Sequence, residues 1–289
     1  MISASVSVVL PAKNEEASIG SLVKELLTFD FVTQVLVVDD GSSDGTGAIA
    51  AAAGAEIVRH AYSKGNGAAI KSGARAATGE VIVFMDGDGQ HSPADIPALL
   101  DKINEGFDLV VGARSKGGQA SLGRSFANNL YNKLASFIVG QRVEDLTSGF
   151  RAVVASKFRE FLYLLPNGFS YPTTSTMAFF RAGYSVAFIP ISVSKRVGSS
   201  HIKPIQDGIR FLLIIFKVGT LYSPLKIFFP MSFFIFLIGI SYYGFTYYTQ
   251  GRFTNMSALM FTTSLIVFMV GLVSEQITAL MYKDSKIEK

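Results

Sequence analysis

Two aspartates, Asp86 and Asp88, are well placed for chemistry because they directly follow Val81–Met85, an apolar run that predicts a buried strand. Alternate residues of an extended segment point the same way, so we expect the two carboxylates to converge on one point. Hard divalent cations such as Mg²⁺ or Mn²⁺ prefer oxygen ligands of this kind. The segment therefore predicts a metal site, and such an ion could neutralise a diphosphate leaving group.

A second pair of acids, Asp39 and Asp40, follows another predicted strand, Gln34–Val38. Acids at the carboxyl end of a strand can bond a ribose hydroxyl or a base N–H group. Adjacent carboxylates repel each other, so we expect a cation or hydrogen-bond donors beside them. The following Ser43 and Asp44 are typical of turns and helix N-caps and require no further role.

A glycine-rich segment, Lys64–Gly67, precedes a predicted helix, Ala68–Ala77. Glycines at that place would let backbone N–H groups approach a phosphate, and a plain turn is the alternative. Ile70 stands where the dinucleotide fingerprint and the P-loop each require glycine. The sequence therefore disfavours a dinucleotide oxidoreductase and a P-loop NTPase.

Short β-rich runs alternate with helix-like stretches in the first part of the chain. The predicted strands are Val6–Leu10, Gln34–Val38, Glu56–Arg59, Val81–Met85 and Leu109–Val111, and the predicted helices are Ser18–Leu27, Thr46–Ala53, Ala68–Ala77 and Ala94–Asn104. This alternation predicts an α/β fold with a mostly parallel, doubly wound sheet. Ligands of such sheets bind beyond the carboxyl ends of the strands, so we expect the polar segments to share one site.

Apolar residues are concentrated near the end of the chain. Of 289 residues, 49% are hydrophobic and 17% are charged, and none is cysteine. This composition excludes a disordered chain, a disulfide scaffold, a cysteine-ligated zinc site and a thiol nucleophile. Ile227–Tyr248 and Met256–Ser274 carry no charge, and each is long enough to cross a hydrocarbon core of roughly 30 Å. They predict a two-helix membrane hairpin.

The segment 195–226 carries six basic residues and one acid. The positive-inside rule places it, and both termini, in the cytoplasm. Its apolar residues recur at helical spacing from Ile205 to Phe216, which predicts an amphipathic helix on anionic lipid. The predicted regions are a cytosolic catalytic domain at 1–203, an interfacial helix region at 204–226, a transmembrane hairpin at 227–282 and a cytosolic tail at 283–289.

The ordered set of polar segments resembles the family-2 glycosyltransferases of GT-A fold, and within them the polyprenyl-phosphate sugar synthases of the dolichyl-phosphate mannose synthase type. The segments that carry the resemblance, within about residues 5–205, are Leu10–Glu16, Val37–Thr46, Lys64–Gly67, Asp86–His91 and Ser148–Arg151. The apolar tail is similar to the membrane anchor of one branch of this group. The resemblance implies a sheet sandwiched by helices and a nucleotide-sugar donor.

The resemblance also implies roles for individual residues. Those expected at the donor nucleotide are Pro11, Lys13, Glu15, Val38, Asp40, Lys64, Asp86 and Gly87. Those expected at a Mg²⁺ or Mn²⁺ ion are Asp88 and Gln90, with Asp86 beside them. Those expected at the phosphates are Arg114, Arg124, Arg196 and Lys203, and the three arginines are grouped with Asp88 as catalytic. Members often carry an aromatic residue where this chain has Lys13, which bears on base selection.

The implied activity is inverting, metal-dependent transfer of a hexose from GDP-mannose or UDP-glucose to a dolichyl or undecaprenyl monophosphate at the membrane. A phosphate monoester, with a second pKa of about 6, is largely ionised already, so no general base is required. Two alternatives are a haloacid-dehalogenase-like phosphatase with Asp86 as nucleophile and a non-catalytic nucleotide-sugar binding protein. The base, the sugar, the lipid length, the oligomeric state and the role of Glu275 stay open at this stage.

Overall fold

The structure is a computed structural model that describes residues 4–114, 122–168, 171–192, 216 and 219–284. The chain divides into two compact units, Met1–Phe137 with Gln141–Lys203 and Ile138–Gly140 with Pro204–Lys289. The first unit contains a β-sheet with helices. The second contains a pair of long apolar helices.

Strands and helices alternate along the first unit. Its strands are β1 (Val6–Ala12), β2 (Val32–Asp39), β3 (Glu56–Arg59), β4 (Val81–Phe84), β5 (Leu109–Arg114), β6 (Arg151–Val154) and β7 (Val186–Ile191). Its helices are α1 (Ile19–Leu26), α2 (Thr46–Ala52), α3 (Asn66–Ala76), α4 (Ile96–Asn104), α5 (Leu122–Val139), α6 (Ala155–Arg159) and α7 (Tyr171–Ala182), with a 3₁₀ turn at Pro93–Asp95.

The strands form one seven-stranded sheet in the order β3-β2-β1-β4-β6-β5-β7. Neighbours pair in parallel except at β6, which runs antiparallel to both β4 and β5. The predicted α/β fold with a mostly parallel sheet is therefore confirmed, with β6 as an exception that the sequence pattern does not predict. Because β6 is antiparallel, its amino end lies beside the carboxyl end of β4, where Arg151 pairs with Phe84.

The sheet core consists of aliphatic side chains on strands that are buried on both faces, as a parallel sheet requires. Val8 and Val9 of β1 are fully buried on opposite faces. Helix α3 approaches β1 closely, because a Cβ added at Gly73 would lie 2.3 Å from Cγ1 of Val9. On the other face, α1 contributes Ile19 and Val23 to the core. The tight core fixes the strand ends that carry the polar loops.

The second unit contains α8 (Pro224–Gln250) and α9 (Asn255–Asp284). Both helices are long and apolar enough to cross a membrane, as predicted. They pack through small residues, since a Cβ at Gly239 would lie 3.2 Å from Cε1 of Phe261. The side chain of Glu275 in α9 accepts a 3.2 Å hydrogen bond from the backbone N–H of Leu225, near the start of α8. The predicted amphipathic helix at 205–216 lies, apart from residue 216, outside the described residues.

Candidate active site

The loop that follows β4 carries Asp86 and Asp88, and both side chains are partly exposed. Gly87 between them is buried against β1, and its carbonyl accepts a 2.9 Å hydrogen bond from Oγ of Ser18. The backbone N–H of Gln90 donates to Oδ1 of Asp88 over 3.1 Å. These contacts fix the backbone of the loop and leave its carboxylates at the carboxyl edge of the sheet.

The Asp86 carboxylate lies against the backbone that leads into β6. A Cβ added at Gly149 would lie 3.0 Å from Oδ2 of Asp86. The carbonyl of Gly149 in turn accepts a 3.0 Å hydrogen bond from the hydroxyl of Tyr171, which is buried. A side chain at position 149 would therefore press on the Asp86 carboxylate, and the backbone that leads into β6 supplies one wall of the site.

The chemistry of this loop fits a hard divalent cation. Asp86, Asp88 and Gln90 offer carboxylate and amide oxygens, which Mg²⁺ and Mn²⁺ prefer. The described residues contain no group of three or more His, Cys, Asp or Glu side chains able to hold a metal by themselves. A metal bound here would take its other ligands from water or from phosphate oxygens, as Mg²⁺ commonly does. The ligand roles of the three residues stay predictions.

His91 is buried at the base of the same loop and does not behave as a free imidazole. Its ring stacks on Phe150 with centroids 5.1 Å apart. Burial lowers the pKa of His91, and Arg114 acts in the same direction, while Asp88 and Asp145 oppose them. Nδ1 of His91 has no hydrogen-bond partner among the described residues. The ring packs the loop against Phe150, the residue before β6, which agrees with a supporting role.

Arg114, the last residue of β5, forms a bidentate ion pair with Asp145. Its Nε lies 2.8 Å from Oδ2 of Asp145, and its Nη2 lies 3.0 Å from Oδ1. Burial alone would lower the pKa of Arg114, but the hydrogen bonds and charge of Asp145, together with the charge of Asp86, raise it. The guanidinium is thus preorganised and permanently charged near Asp86. Its predicted contact with phosphate stays a prediction.

Asp40 organises the segment that follows β3. Its Oδ1 lies 2.6 Å from Nδ1 of His60 and accepts a 2.8 Å hydrogen bond from the N–H of Lys64. Its Oδ2 accepts hydrogen bonds from Oγ of Ser63 and the N–H of Gly65, over 2.8 and 2.9 Å. Burial would raise the pKa of Asp40, but the hydrogen bonds from these four donors outweigh the effect of burial and lower the pKa to about 2. The predicted donors beside the acid pair are present.

The hydrogen-bond network around Asp40 extends through the His60 ring to α3. Nε2 of His60 lies 2.9 Å from Oγ of Ser72 on α3. The neighbouring Asp39 has separate partners, since its Oδ1 accepts a 2.8 Å hydrogen bond from the N–H of Ser42 and Nε of Arg59 lies 3.6 Å from its Oδ2. The two adjacent carboxylates are therefore stabilised by different donors. Asp40 accepts four hydrogen bonds already, and its direct contact with a nucleoside stays a prediction.

The loops after β1 and β2 interlock through polar contacts. The N–H of Glu15 donates to Oγ1 of Thr46 over 2.9 Å, and Oδ1 of Asn14 accepts from the N–H of Ser43 over 2.9 Å. Asn14 has a φ of 57°, a left-handed conformation that asparagine tolerates better than most residues. These hydrogen bonds connect the two loops, which carry residues predicted at the donor nucleotide.

The remaining residues predicted at the nucleotide differ in exposure. Val38 is fully buried, so only its backbone is able to face a ligand. Pro11 is partly exposed and pairs with Val38 in the β1–β2 register. Lys13 is exposed, and so is Lys64, whose Nζ lies 5.7 Å from the ring centroid of Tyr62. Their predicted contacts with the nucleotide stay predictions.

The glycine-rich segment before α3 does not form an open phosphate cradle. The N–H groups of Gly67 and Ala68 donate to the carbonyls of Gly168 and Asn167, over 3.1 and 2.8 Å. A Cβ added at Gly67 would lie 2.0 Å from the carbonyl oxygen of Pro166. The glycine therefore allows another part of the chain to dock on the first turn of α3. Because these two N–H groups already have backbone acceptors, a structural turn is favoured over a phosphate bound by them.

We expect Gly67→Ala to destabilise the protein by about 2–3 kcal/mol, because the added methyl group must push the Pro166 backbone away. For a unit of this size that corresponds to about 4–12 °C in the unfolding midpoint. Differential scanning calorimetry of the detergent-solubilised chain measures it. Gly168→Ala is the matched control, since a Cβ there has no neighbour within 4 Å. An unchanged midpoint for Gly67→Ala would contradict the docking contact.

Three residues predicted at the phosphates cannot be placed at the site. Arg196 and Lys203 lie outside the described residues, and so does the side chain of Arg124 in α5. The described site therefore brings together the ends of β1, β2, β4, β5 and β6, with Arg114 as the predicted cation that it includes.

Two charged residues beside the site were not among those that the sequence pattern predicts there. Asp145 partners Arg114 from 31 residues away. Arg151 at the start of β6 is fully buried behind Asp86, although arginine is rarely buried unless it is paired. The segment Ser148–Arg151 is one of those that carry the resemblance, and it was the only signal available for Arg151.

Comparison with known proteins places this geometry in a family. Residues 7–162 match the model of glycosyl transferase family 2, and residues 223–280 match the GtrB C-terminal hairpin. The chain is 31% identical over 204 residues to a dolichyl-phosphate hexose transferase of Haloferax volcanii, which covers 70% of this chain and 88% of that protein. It is 32% identical over 205 residues to a polyprenol monophosphomannose synthase of Mycolicibacterium smegmatis, with coverage of 65% and 77%.

A solved structure has the same fold. Glucosyl-3-phosphoglycerate synthase from Mycobacterium tuberculosis, in complex with Mn²⁺, UDP-glucose and phosphoglyceric acid, superposes with a TM-score of 0.62 at 25% identity, over 75% of this chain and 80% of that one. The family model alone spans more than half of the 289 residues. The predicted resemblance is confirmed: the chain belongs to glycosyl transferase family 2, among its polyprenyl-phosphate sugar transferases, and ends in a GtrB-type hairpin.

Proposed function

We propose that this protein transfers a hexose from GDP-mannose or UDP-glucose to a dolichyl or undecaprenyl monophosphate, with inversion and with Mg²⁺ or Mn²⁺. The observation that carries the proposal is the acid loop Asp86–Gln90, fixed at the carboxyl edge of the sheet in a chain that also holds a membrane-capable hairpin. The named activities of the relatives and the Mn²⁺ bound by the structural neighbour support it. Membership of this family overturns the phosphatase alternative.

In this proposal separate groups of residues bind the metal ion, the nucleotide and the phosphates. Asp88 and Gln90 would hold the ion, and Asp86 with Gly87 would contact the nucleotide. The chemistry that a bound ion would supply is compensation of the negative charge on the leaving nucleoside diphosphate. Arg114 stabilises phosphate charge, together with Arg124, Arg196 and Lys203. Those expected at the nucleoside are Pro11, Lys13, Glu15, Val38, Asp40 and Lys64.

The proposed reaction needs alignment and charge stabilisation but no proton transfer. An oxygen of the lipid phosphate attacks the anomeric carbon, and the bond from that carbon to the donor diphosphate breaks, with its electron pair leaving on the nucleoside diphosphate. The lipid phosphate is already an anion near neutral pH. Two anions must therefore approach each other, and preorganised cations such as the Asp145-held Arg114 lower that barrier.

We further propose the arrangement at the membrane. Residues 1–203 form the catalytic domain in the cytosol, 204–226 lie at the interface, 227–282 span the bilayer twice, and 283–289 return to the cytosol. The basic excess of 195–226 supports this orientation. An anchored catalytic domain meets its lipid acceptor at a raised effective concentration.

A transfer assay tests the proposal. The purified full chain in detergent is given radiolabelled UDP-glucose or GDP-mannose, with undecaprenyl or dolichyl phosphate and Mn²⁺ or Mg²⁺. We expect one donor to label the lipid, and a chelator to abolish the label until metal is returned. Donor binding without a labelled lipid for any of the four donor–acceptor pairs would favour the non-catalytic binding protein instead.

A further inference from the structure

The buried side chain of Arg151 has no assigned role, and its surroundings are unusual for a cation. It is fully buried. Its Nη1 donates to the carbonyl of Pro172 and to the hydroxyls of Ser175 and Thr176, over 3.0, 2.8 and 3.1 Å. Its Nη2 donates to the carbonyl of Ser148. None of these acceptors is a carboxylate, and Nε has no partner among the described residues.

This position is electrostatically costly for the fold alone. A buried charge without a paired opposite charge is strongly disfavoured. Three of the acceptors belong to the first turns of α7, and the amino end of a helix repels cations. Burial lowers the pKa of Arg151 and outweighs the opposing effects of Tyr171, Asp145 and Asp86. The nearby acids of the site therefore compensate the buried charge only in part.

A short chain of contacts links Arg151 to Asp86. The guanidinium of Arg151 donates a hydrogen bond to the Ser148 carbonyl. The next residue, Gly149, lies against Oδ2 of Asp86. Tyr171 holds the Gly149 carbonyl, and its ring centroid lies 5.6 Å from the guanidinium carbon of Arg151. Arg151 and Tyr171 thus clamp the two peptide units that form the wall beside Asp86.

We propose that Arg151 is a positioning residue for sugar transfer. Its guanidinium clamps the Ser148–Gly149 backbone, and that backbone sets the position of the Asp86 carboxylate. The inference rests on the proposed function, because it assigns Asp86 to the donor nucleotide. Arg151 itself touches neither donor nor acceptor.

A double-mutant cycle tests the proposal. The variants are Arg151→Lys, which keeps the charge but loses the fork of donors, Asp86→Asn, and the pair combined. Binding of UDP-glucose and GDP-mannose with Mn²⁺ is measured by titration calorimetry, and transfer is measured in parallel. Arg75→Lys, at an exposed arginine of α3, is the matched control. Calorimetric unfolding shows whether each variant is folded.

We expect Arg151→Lys to weaken binding of the accepted donor about tenfold and transfer about tenfold to a hundredfold. Because both changes act through Asp86, the double variant should be no worse than Asp86→Asn alone. Gly149→Ala, which keeps Arg151 and displaces Asp86, should reproduce the defect. If Arg151→Lys fails to fold, Ser175→Ala with Thr176→Val removes two of the clamp's acceptors and should give the same pattern more weakly.

The outcomes separate this inference from the proposed function. Independent, multiplying losses in the double variant, or unchanged binding and transfer in folded Arg151→Lys, would overturn the positioning role while wild-type transfer stands. A wild type that binds a donor but transfers nothing would overturn the proposed function, and the binding cycle would still decide the role of Arg151. A wild type that binds neither donor would overturn both.

Discussion

Asp88→Asn is expected to reduce hexose transfer by about a hundredfold to a thousandfold while the protein stays folded. Asparagine keeps an oxygen that accepts the hydrogen bond from the N–H of Gln90, so the loop should retain its shape. It removes the negative charge that we propose binds the divalent cation. Loss of a fixed electrostatic contact to the leaving group typically costs this much in rate.

Transfer to lipid phosphate is measured at saturating donor over a range of Mn²⁺ concentrations. A ligand role predicts that the variant needs much more Mn²⁺ and recovers part of its rate at high concentration. Asp101→Asn is the matched control, because Asp101 is an exposed acid on α4 away from the loop. Wild-type rates and Mn²⁺ dependence in Asp88→Asn would remove Asp88 from the metal site and with it the main support for a metal-dependent mechanism.

The central strands were predictable because burial on both faces leaves a simple signal. Val81–Met85 is continuously apolar and is followed by the acid Asp86, and the structure has β4 at Val81–Phe84. β6 has only four residues, Arg151–Val154, and begins with a charge. Its place depends on antiparallel pairing with β4, from which it is separated by the 66 residues 85–150. Local pattern carries no information about such a partner.

The membrane-capable hairpin was predictable for a different reason. A charge-free run must be about 20 residues long to cross a bilayer, and that length is rare elsewhere. The predicted runs Ile227–Tyr248 and Met256–Ser274 fall within α8 and α9, which extend beyond them at both ends. The extensions carry polar residues that continue the helix, so hydropathy alone underestimates the helix length.

The candidate site was predictable in its acids but not in their partners. Strand ends locate Asp40, Asp86 and Asp88, because parallel strands bring their carboxyl ends to one edge. The partner of Arg114 and the chain segment docked on Gly67 come from distant parts of the sequence. Gly67 illustrates the limit of the sequence pattern. A glycine at the start of a helix is equally compatible with a phosphate-binding turn and with close contact to another backbone segment, and only the structure distinguishes the two.

Asp40→Asn is expected to destabilise the protein by roughly 3 kcal/mol, or on the order of 10 °C in the unfolding midpoint. Each carboxylate oxygen of Asp40 accepts two hydrogen bonds. An amide has a single acceptor oxygen, so in either orientation its NH₂ group faces two donors that lose their acceptor. Donors that lose their acceptor at this buried side chain are costly, and the loop that presents Lys64 should loosen.

The pH dependence of the unfolding midpoint gives a second, independent test of the role of Asp40. The pKa of Asp40 is about 2 in the folded chain, against an ordinary value of 3.8. A lowered pKa contributes stability that is fully present above the unfolded value and is lost as pH falls through the folded one, about 2 kcal/mol in this case. The difference in midpoint between wild type and Asp40→Asn should therefore be constant above about pH 5 and shrink between about pH 4 and pH 2.

Calorimetric scans of the detergent-solubilised chain from neutral to acidic pH measure both the loss of stability and its pH dependence. Asp30→Asn, at an exposed acid, should follow the wild type throughout. Because we propose that Asp40 both lies at the nucleoside and holds this loop, Asp40→Asn should lose donor binding together with stability. A variant with the wild-type midpoint would mean that the hydrogen bonds of Asp40 to the loop contribute little to the fold, whether or not the donor still binds.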